Sequence, residues 1–163
     1  MRTTFALLAM AISVALASTA FAGVIKPLHT CASGTFSFPS PNTSSTHTAD
    51  CPAGTTYFEA QVRDRAPNNA STVLNIQVIK SPTNGPVRAD ATDGDGSTSL
   101  CTLTGFSGYS RVSGGSGTYT VQITKTGGTD SEDYDVSHHC IKVESNGTLT
   151  DMNGSLSTPP VQQ

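Results

Sequence analysis

The chain has no tryptophan and is poor in charge: 13% of its 163 residues are Asp, Glu, Lys or Arg, about half the usual share. Without indole rings to stack on sugars, it is a poor match for flat crystalline polysaccharide. Lys and Arg number only nine and are scattered, which excludes the clustered positive face needed for nucleic acid or anionic membrane. Helical periodicity is also missing, with no window of apolar residues recurring at i, i+3, i+4 and i+7. Catalytic signatures are absent as well. Gly105-Phe106-Ser107-Gly108-Tyr109 approaches a G-x-S-x-G elbow but has Tyr109 where the final glycine belongs. No H-E-x-x-H occurs, and few carboxylates fall on the strand-like segments where acid and base pairs would be buried. The expectation is a protein that is not an enzyme.

What is present begins with a leader. Arg2 supplies a positive start, residues 5–17 form an apolar run, and Ala20-Phe21-Ala22 offers small residues at a cleavage site. The run is shorter than the roughly 20 residues a membrane span needs. Residues 1–22 therefore read as a signal peptide, and 163 less 22 leaves 141 residues from Gly23 onward. That length suits one domain. Without Arg2 the remainder carries 8 basic and 12 acidic side chains, a net charge of −4. The expected location is secreted or periplasmic, with no membrane span once the leader is gone.

Serine and threonine make up 39 of those 141 residues, and all 15 glycines lie beyond the leader. Short β-branched runs divided by Gly, Pro, Asn and Asp predict an all-β antiparallel sandwich or barrel. Alternation places Phe58, Ala60 and Val62 on one face of 55–63, with Tyr57, Glu59 and Gln61 on the other. It likewise turns Leu74, Ile76 and Val78 inward on 72–80, and Tyr119, Val121 and Ile123 inward on 117–125. On 133–143 it groups Tyr134, Val136, His138 and Cys140. Segments 34–38 and 98–104 complete the set, and Asn146-Gly147 is expected to turn a last hairpin into 148–150. One domain over 23–151 is expected, with 152–163 a disordered tail.

Cys31, Cys51, Cys101 and Cys140 all lie beyond the leader. An even count in an oxidising compartment predicts two disulfides, with three pairings open. No two cysteines have zinc-ligand spacing. Strand parity puts Cys101 and Cys140 on core faces, which favours a bridge between them. Cys31 and Cys51 would then close a Ser/Thr/Pro-rich loop.

Gly117-Thr118-Tyr119-Thr120-Val121-Gln122-Ile123, a glycine-rich turn and then Tyr134-Asp135-Val136 resemble the final hairpin of bacterial pre-peptidase C-terminal domains. Those read G-x-Y-x-V-x-V, a glycine turn, and Y-x-L or Y-x-V. The YFEAQV and LNIQV segments fall in the family's order, so the likeness spans roughly residues 55–141. It implies a jelly-roll-like sandwich of the kind that assists a secreted enzyme in attachment or substrate binding. The family's Asp-x-Asp-Leu strand is not supplied by 85–92 (GPVRADAT), and the catalytic domain that usually precedes the family's modules is not expected here.

The candidate metal ligands are Asp90, Asp93 and Asp95 in DATDGDGS, which offer oxygens to calcium on a flexible loop without matching an EF-hand. Asp130, Glu132 and Asp133 form a second acidic stretch. No other cofactor is expected. His138 and His139 are neighbours on a strand and point to opposite faces, so His138 is expected at the core edge and His139 on the surface. His29 and His47 read as loop residues. Tyr57, Phe106 and Tyr109 remain as candidate ligand contacts. The function expected is a binding or surface-interaction module whose ligand is a glycan or a protein. The alternatives are a small secreted hydrolase or hydrolase inhibitor, the latter presenting 40–50 as a convex loop, and a structural or adhesive envelope protein.

Overall fold

The computed structural model describes residues 30–36, 44–65, 72–90, 105–128, 132–157 and 161–162. Twelve strands run through them: β1 (Thr30–Phe36), β2 (Ser44–Cys51), β3 (Tyr57–Arg65), β4 (Val73–Lys80), β5 (Thr83–Asn84), β6 (Arg88–Asp90), β7 (Ser110–Val112), β8 (Gly117–Thr126), β9 (Glu132–Val143), β10 (Leu149–Asp151), β11 (Ser155–Leu156) and β12 (Val161–Gln162). No helix occurs among the described residues, so none is long and apolar enough to cross a membrane.

The strands form two antiparallel sheets packed together. Sheet A runs β1-β9-β3-β7, with β10 beside β9; sheet B runs β11-β2-β8-β4-β5, with β12 on β2 and β6 on β4. The alternation explains the packing. Phe58, Ala60 and Val62 from β3 meet Leu74, Ile76 and Val78 from β4 and Tyr119, Val121 and Ile123 from β8 in one buried cluster. Phe58 stacks on Tyr119 with centroids 5.0 Å apart, an offset arrangement that adds to the area buried.

Three expectations meet a different arrangement. Residues 44–51 are a strand, not a loop: β2 lies in register along β8, with His47 opposite Val121 and Cys51 opposite Gly117. The convex loop expected over 40–50 is therefore absent over 44–50. Second, Cys51 is bonded to Cys140, with Cα atoms 5.6 Å apart, which replaces both the expected Cys101–Cys140 bridge and the expected Cys31–Cys51 bridge. The reason is topological. Cys51 follows Ser45, His47 and Ala49 on the buried face of β2 in sheet B and meets Cys140 on β9 of sheet A, whereas Cys31 on β1 stands in register with Ser137, out of phase with Cys140. Cys101 lies outside the described residues, as does the expected strand 98–104. Third, the β8–β9 hairpin implied by the family resemblance is not formed, because β8 belongs to sheet B and β9 to sheet A.

The hairpin at Asn146-Gly147 is present. Gly147 takes φ +82°, Glu144 N donates to Thr148 O at 2.8 Å, and β10 returns along β9. Beyond it, where a disordered tail was expected, Ser155 pairs with Asp50 and Val161 with Thr46 on the edge of β2. Gly154 lies on the disulfide: a Cβ there would overlap Cys140 Sγ and come within 3.0 Å of Asp50 O.

The Cys51–Cys140 bridge spans 89 residues of sequence. Such a loop is worth about 4–5 kcal/mol in the chain-entropy treatment. The Cys51→Ala/Cys140→Ala double variant is expected to lose about 4 kcal/mol of unfolding free energy in urea titration. A loss under about 1 kcal/mol contradicts a stabilising inter-sheet bridge.

Candidate functional site

The residues that alternate with the core on β3 and β9 form the outer face of sheet A. Such a face is ordinarily solvated. Here Glu59, Arg63 and Asp135 are fully buried and His139 is 1% exposed. Buried charge requires partners, and register supplies them: Glu59 lies opposite both Arg111 and His139, and Arg63 opposite Asp135.

Two groups of ion pairs result. In the first, Arg63 Nη2 donates to Asp135 Oδ2 at 2.5 Å, and Arg65 Nε lies 3.8 Å from Asp135 Oδ1. In the second, Glu59 Oε2 accepts from Arg111 Nε at 3.0 Å and Nη2 at 2.6 Å. Beside it His139 Nδ1 meets Asp151 Oδ2 at 2.6 Å, which ties β9 to β10 on a face closed to solvent.

Each candidate contact falls at these groups. Tyr57 is buried, its ring lying 4.4 Å beneath the Arg111 guanidinium. Phe106 is half-buried with Arg63 over its ring at 4.8 Å. Tyr109 is half-buried and edge-on to His139, with centroids 6.2 Å apart. Arg88, from the edge of sheet B, donates through Nε to Tyr109 O at 3.2 Å. Arg88, Tyr109 and Arg111 thus converge where the two sheets meet at one edge, and the Arg111 side chain is 51% exposed. His139 is not on the surface as expected, because both faces of β9 are buried.

The acidic loop is represented by Asp90 alone, since Asp93, Asp95 and Asp130 lie outside the described residues. Asp90 is buried and accepts from Asp64 N at 2.7 Å. Among the described residues no group of three or more His, Cys, Asp or Glu could hold a metal ion.

A second polar cluster lies inside the sandwich, next to the disulfide. Tyr134 Oη is 2.6 Å from Ser45 Oγ and 2.9 Å from His47 Nε2, while His47 Nδ1 is 2.8 Å from Ser157 O. A carbonyl only accepts, so Nδ1 carries the proton and Nε2 accepts from the Tyr134 hydroxyl. Tyr134 in turn accepts from Ser45. By the same logic His138 donates through Nε2 to Gly154 O at 3.4 Å, and its buried Nδ1 has no hydrogen-bond partner. Burial lowers the pKa of His47 despite its bond to Ser157. It lowers His138 to about 4, assisted by His139 and His47 and opposed by Gly154 O and Asp151. Burial also raises Tyr134 to about 12. Sequence reading missed this cluster because Ser45 and His47 look like loop residues; the spacing Ser45, His47, Ala49, Cys51 was the available signal.

No family model matches the chain, and no curated protein matches it.

His138 carries a prediction. Its folded pKa of about 4 lies below the ordinary 6.5, so between those values the unfolded chain binds the extra proton. Its stabilising contribution is complete above about pH 6.5, falls as pH drops, and levels off below about pH 4. Over that window wild type should lose about 3 kcal/mol more unfolding free energy than His138→Gln. Equal losses in both proteins contradict the assignment.

Proposed function

We propose that this chain is an exported, non-catalytic β-sandwich module that binds an acidic glycan at the edge where Arg88, Tyr109 and Arg111 converge. The observation that carries the reading is the mounting of Arg111. Its side chain is 51% exposed, yet buried Glu59 holds one edge of the guanidinium and the ring of Tyr57 lies beneath it. A cation fixed in this way loses little rotamer freedom when a ligand arrives. The outer N–H groups suit the planar oxygens of a carboxylate, and the half-buried Tyr109 supplies an adjacent aromatic surface for the sugar ring.

The remaining features fit an exported module. The leader over 1–22 gives a secreted or periplasmic location. With Cys51 and Cys140 joined, Cys31 and Cys101 remain for a second disulfide. The resemblance to jelly-roll-like pre-peptidase C-terminal domains agrees with a binding role, but the rim geometry supports that role without it.

The test is calorimetric titration of residues 23–163, disulfides intact, with polygalacturonate and with a neutral glucan. Polygalacturonate is expected to bind, with affinity falling as salt is raised. Arg111→Gln should weaken it about tenfold, the loss of one charge-assisted hydrogen bond. Equal binding of the neutral glucan contradicts the carboxylate contact, and no binding of either contradicts the glycan reading.

A further inference from the structure

We propose that residues 152–157 form an acid-released strap over the Cys51–Cys140 bridge. The segment crosses the end of the sandwich after β10 and is held by few bonds. Met152 N donates to Cys140 O at 2.7 Å, and Ser157 N donates to Thr48 O at 2.8 Å. Thr48 N donates to Ser157 Oγ at 2.8 Å, and β11 adds a two-residue pairing with the edge of β2. Asn153, Ser155 and Ser157 are exposed, while Met152 and Leu156 pack partly against the core. Segments with so little buried area open locally at a fraction of the global unfolding free energy.

Beneath the strap lie the two buried imidazoles, and each donates a hydrogen bond to one of its carbonyls: His47 to Ser157 O and His138 to Gly154 O. The closed state disfavours a second proton on either ring, and most strongly on His138. A proton on His47 Nε2 would make that atom a donor, so the Tyr134 hydroxyl would have to turn its own proton to Ser45 Oγ and accept instead, reversing the chain of bonds. A proton on His138 Nδ1 would enter a buried position with no acceptor. The titratable groups bearing on His138 are His47 from β2, His139 from β9 and Asp151 from β10; those on His47 are His138 and Tyr134. Asp151 is the one anion among them, and it is engaged with His139 on the outer face. None of these groups is a carboxylate inside the sandwich that could receive either new charge.

Lifting the strap hydrates both rings, so protonation favours the open form. It also uncovers the disulfide, because Gly154 sits directly on Cys140 Sγ with no room for a Cβ. The bridge is closed to reductants at neutral pH and open to them in acid while the sheets stay folded.

The experiment follows residues 23–163 with disulfides intact from about pH 7 to about pH 5, a range spanning the ordinary imidazole pKa. Hydrogen-exchange protection is read at Met152, Ser157 and a β8 reference amide, Val121, after correction for intrinsic rates. Reduction of Cys51–Cys140 is timed in parallel with a water-soluble phosphine, which does not depend on a thiolate. Protection at Met152 and Ser157 is expected to lie well below that at Val121 at every pH and to fall about tenfold or more. Val121 is expected to fall by a similar factor from its higher level, because the unfolded chain takes up the same protons, and reduction to accelerate in step with the strap amides. His47→Gln/His138→Gln should remove the pH dependence. Should that variant not fold, Gly154→Ala provides the second arm, with rapid reduction already at neutral pH. Protection at Met152 and Ser157 equal to that at Val121 at every pH, or no loss at all on acidification, overturns the strap.

Discussion

The bridge between Cys51 and Cys140 is the constraint on which the rest of the structure depends. It joins β2 of one sheet to β9 of the other at the side of the sandwich where the interior is least apolar. Toward β3, β4 and β8 the two layers are held by Phe58, Ile76, Val78, Tyr119 and Ile123, and burial of such side chains is itself a strong cohesive force. Toward β2 and β9 the facing residues are Ser45, His47, Tyr134 and His138. Burying those groups is favourable only while their hydrogen bonds are intact. A covalent tie at that position keeps the layers in contact where hydrophobic cohesion alone is weak.

Sheet A adds a second departure from a simple sandwich. Its outer face carries Glu59, Arg63, Asp135 and His139 with almost no solvent exposure, and each is matched across the ladder by a residue of complementary chemistry. Arg63 faces Asp135 and Glu59 faces Arg111 directly in register. The pairs therefore act as a polar counterpart of the core, specifying which strands meet and in which register. One member, Arg111, extends from this network toward solvent, and the same anchoring that satisfies Glu59 fixes a cation at the molecular edge.

The legible and illegible parts of the sequence divide along these lines. Strands whose inward residues are Val, Ile, Leu, Phe or Tyr could be read with their faces, because apolar side chains at every second position mark a half-buried strand. The segments 72–80 and 117–125 are the clearest cases. β2 could not be read in that way: its inward residues are Ser45, His47, Ala49 and Cys51, and serine and histidine resemble loop composition. That one omission also misplaced the disulfide, since a loop ending at Cys51 invites closure by Cys31. On β3 and β9 the alternation identified two faces correctly, but polar residues on the second face carried no local sign that it was buried too. Tyr57, Phe106 and Tyr109 were found as candidate contacts from composition. Their engagement by Arg111, Arg63 and Arg88 joins positions more than twenty residues apart in sequence and is not local information.

Chemistry and architecture meet in the pairing of cysteines, because the interior cluster, the overlying segment and the relation of the sheets all require Cys51 bonded to Cys140. Mass-spectrometric mapping of unreduced protein tests it directly. Trypsin combined with a protease that cuts before Asp50 separates Cys31 from Cys51, and existing basic residues separate Cys101 from Cys140. The structure requires a peptide containing Cys51 linked to one containing Cys140. Cys51 linked instead to Cys31 or Cys101 would contradict it.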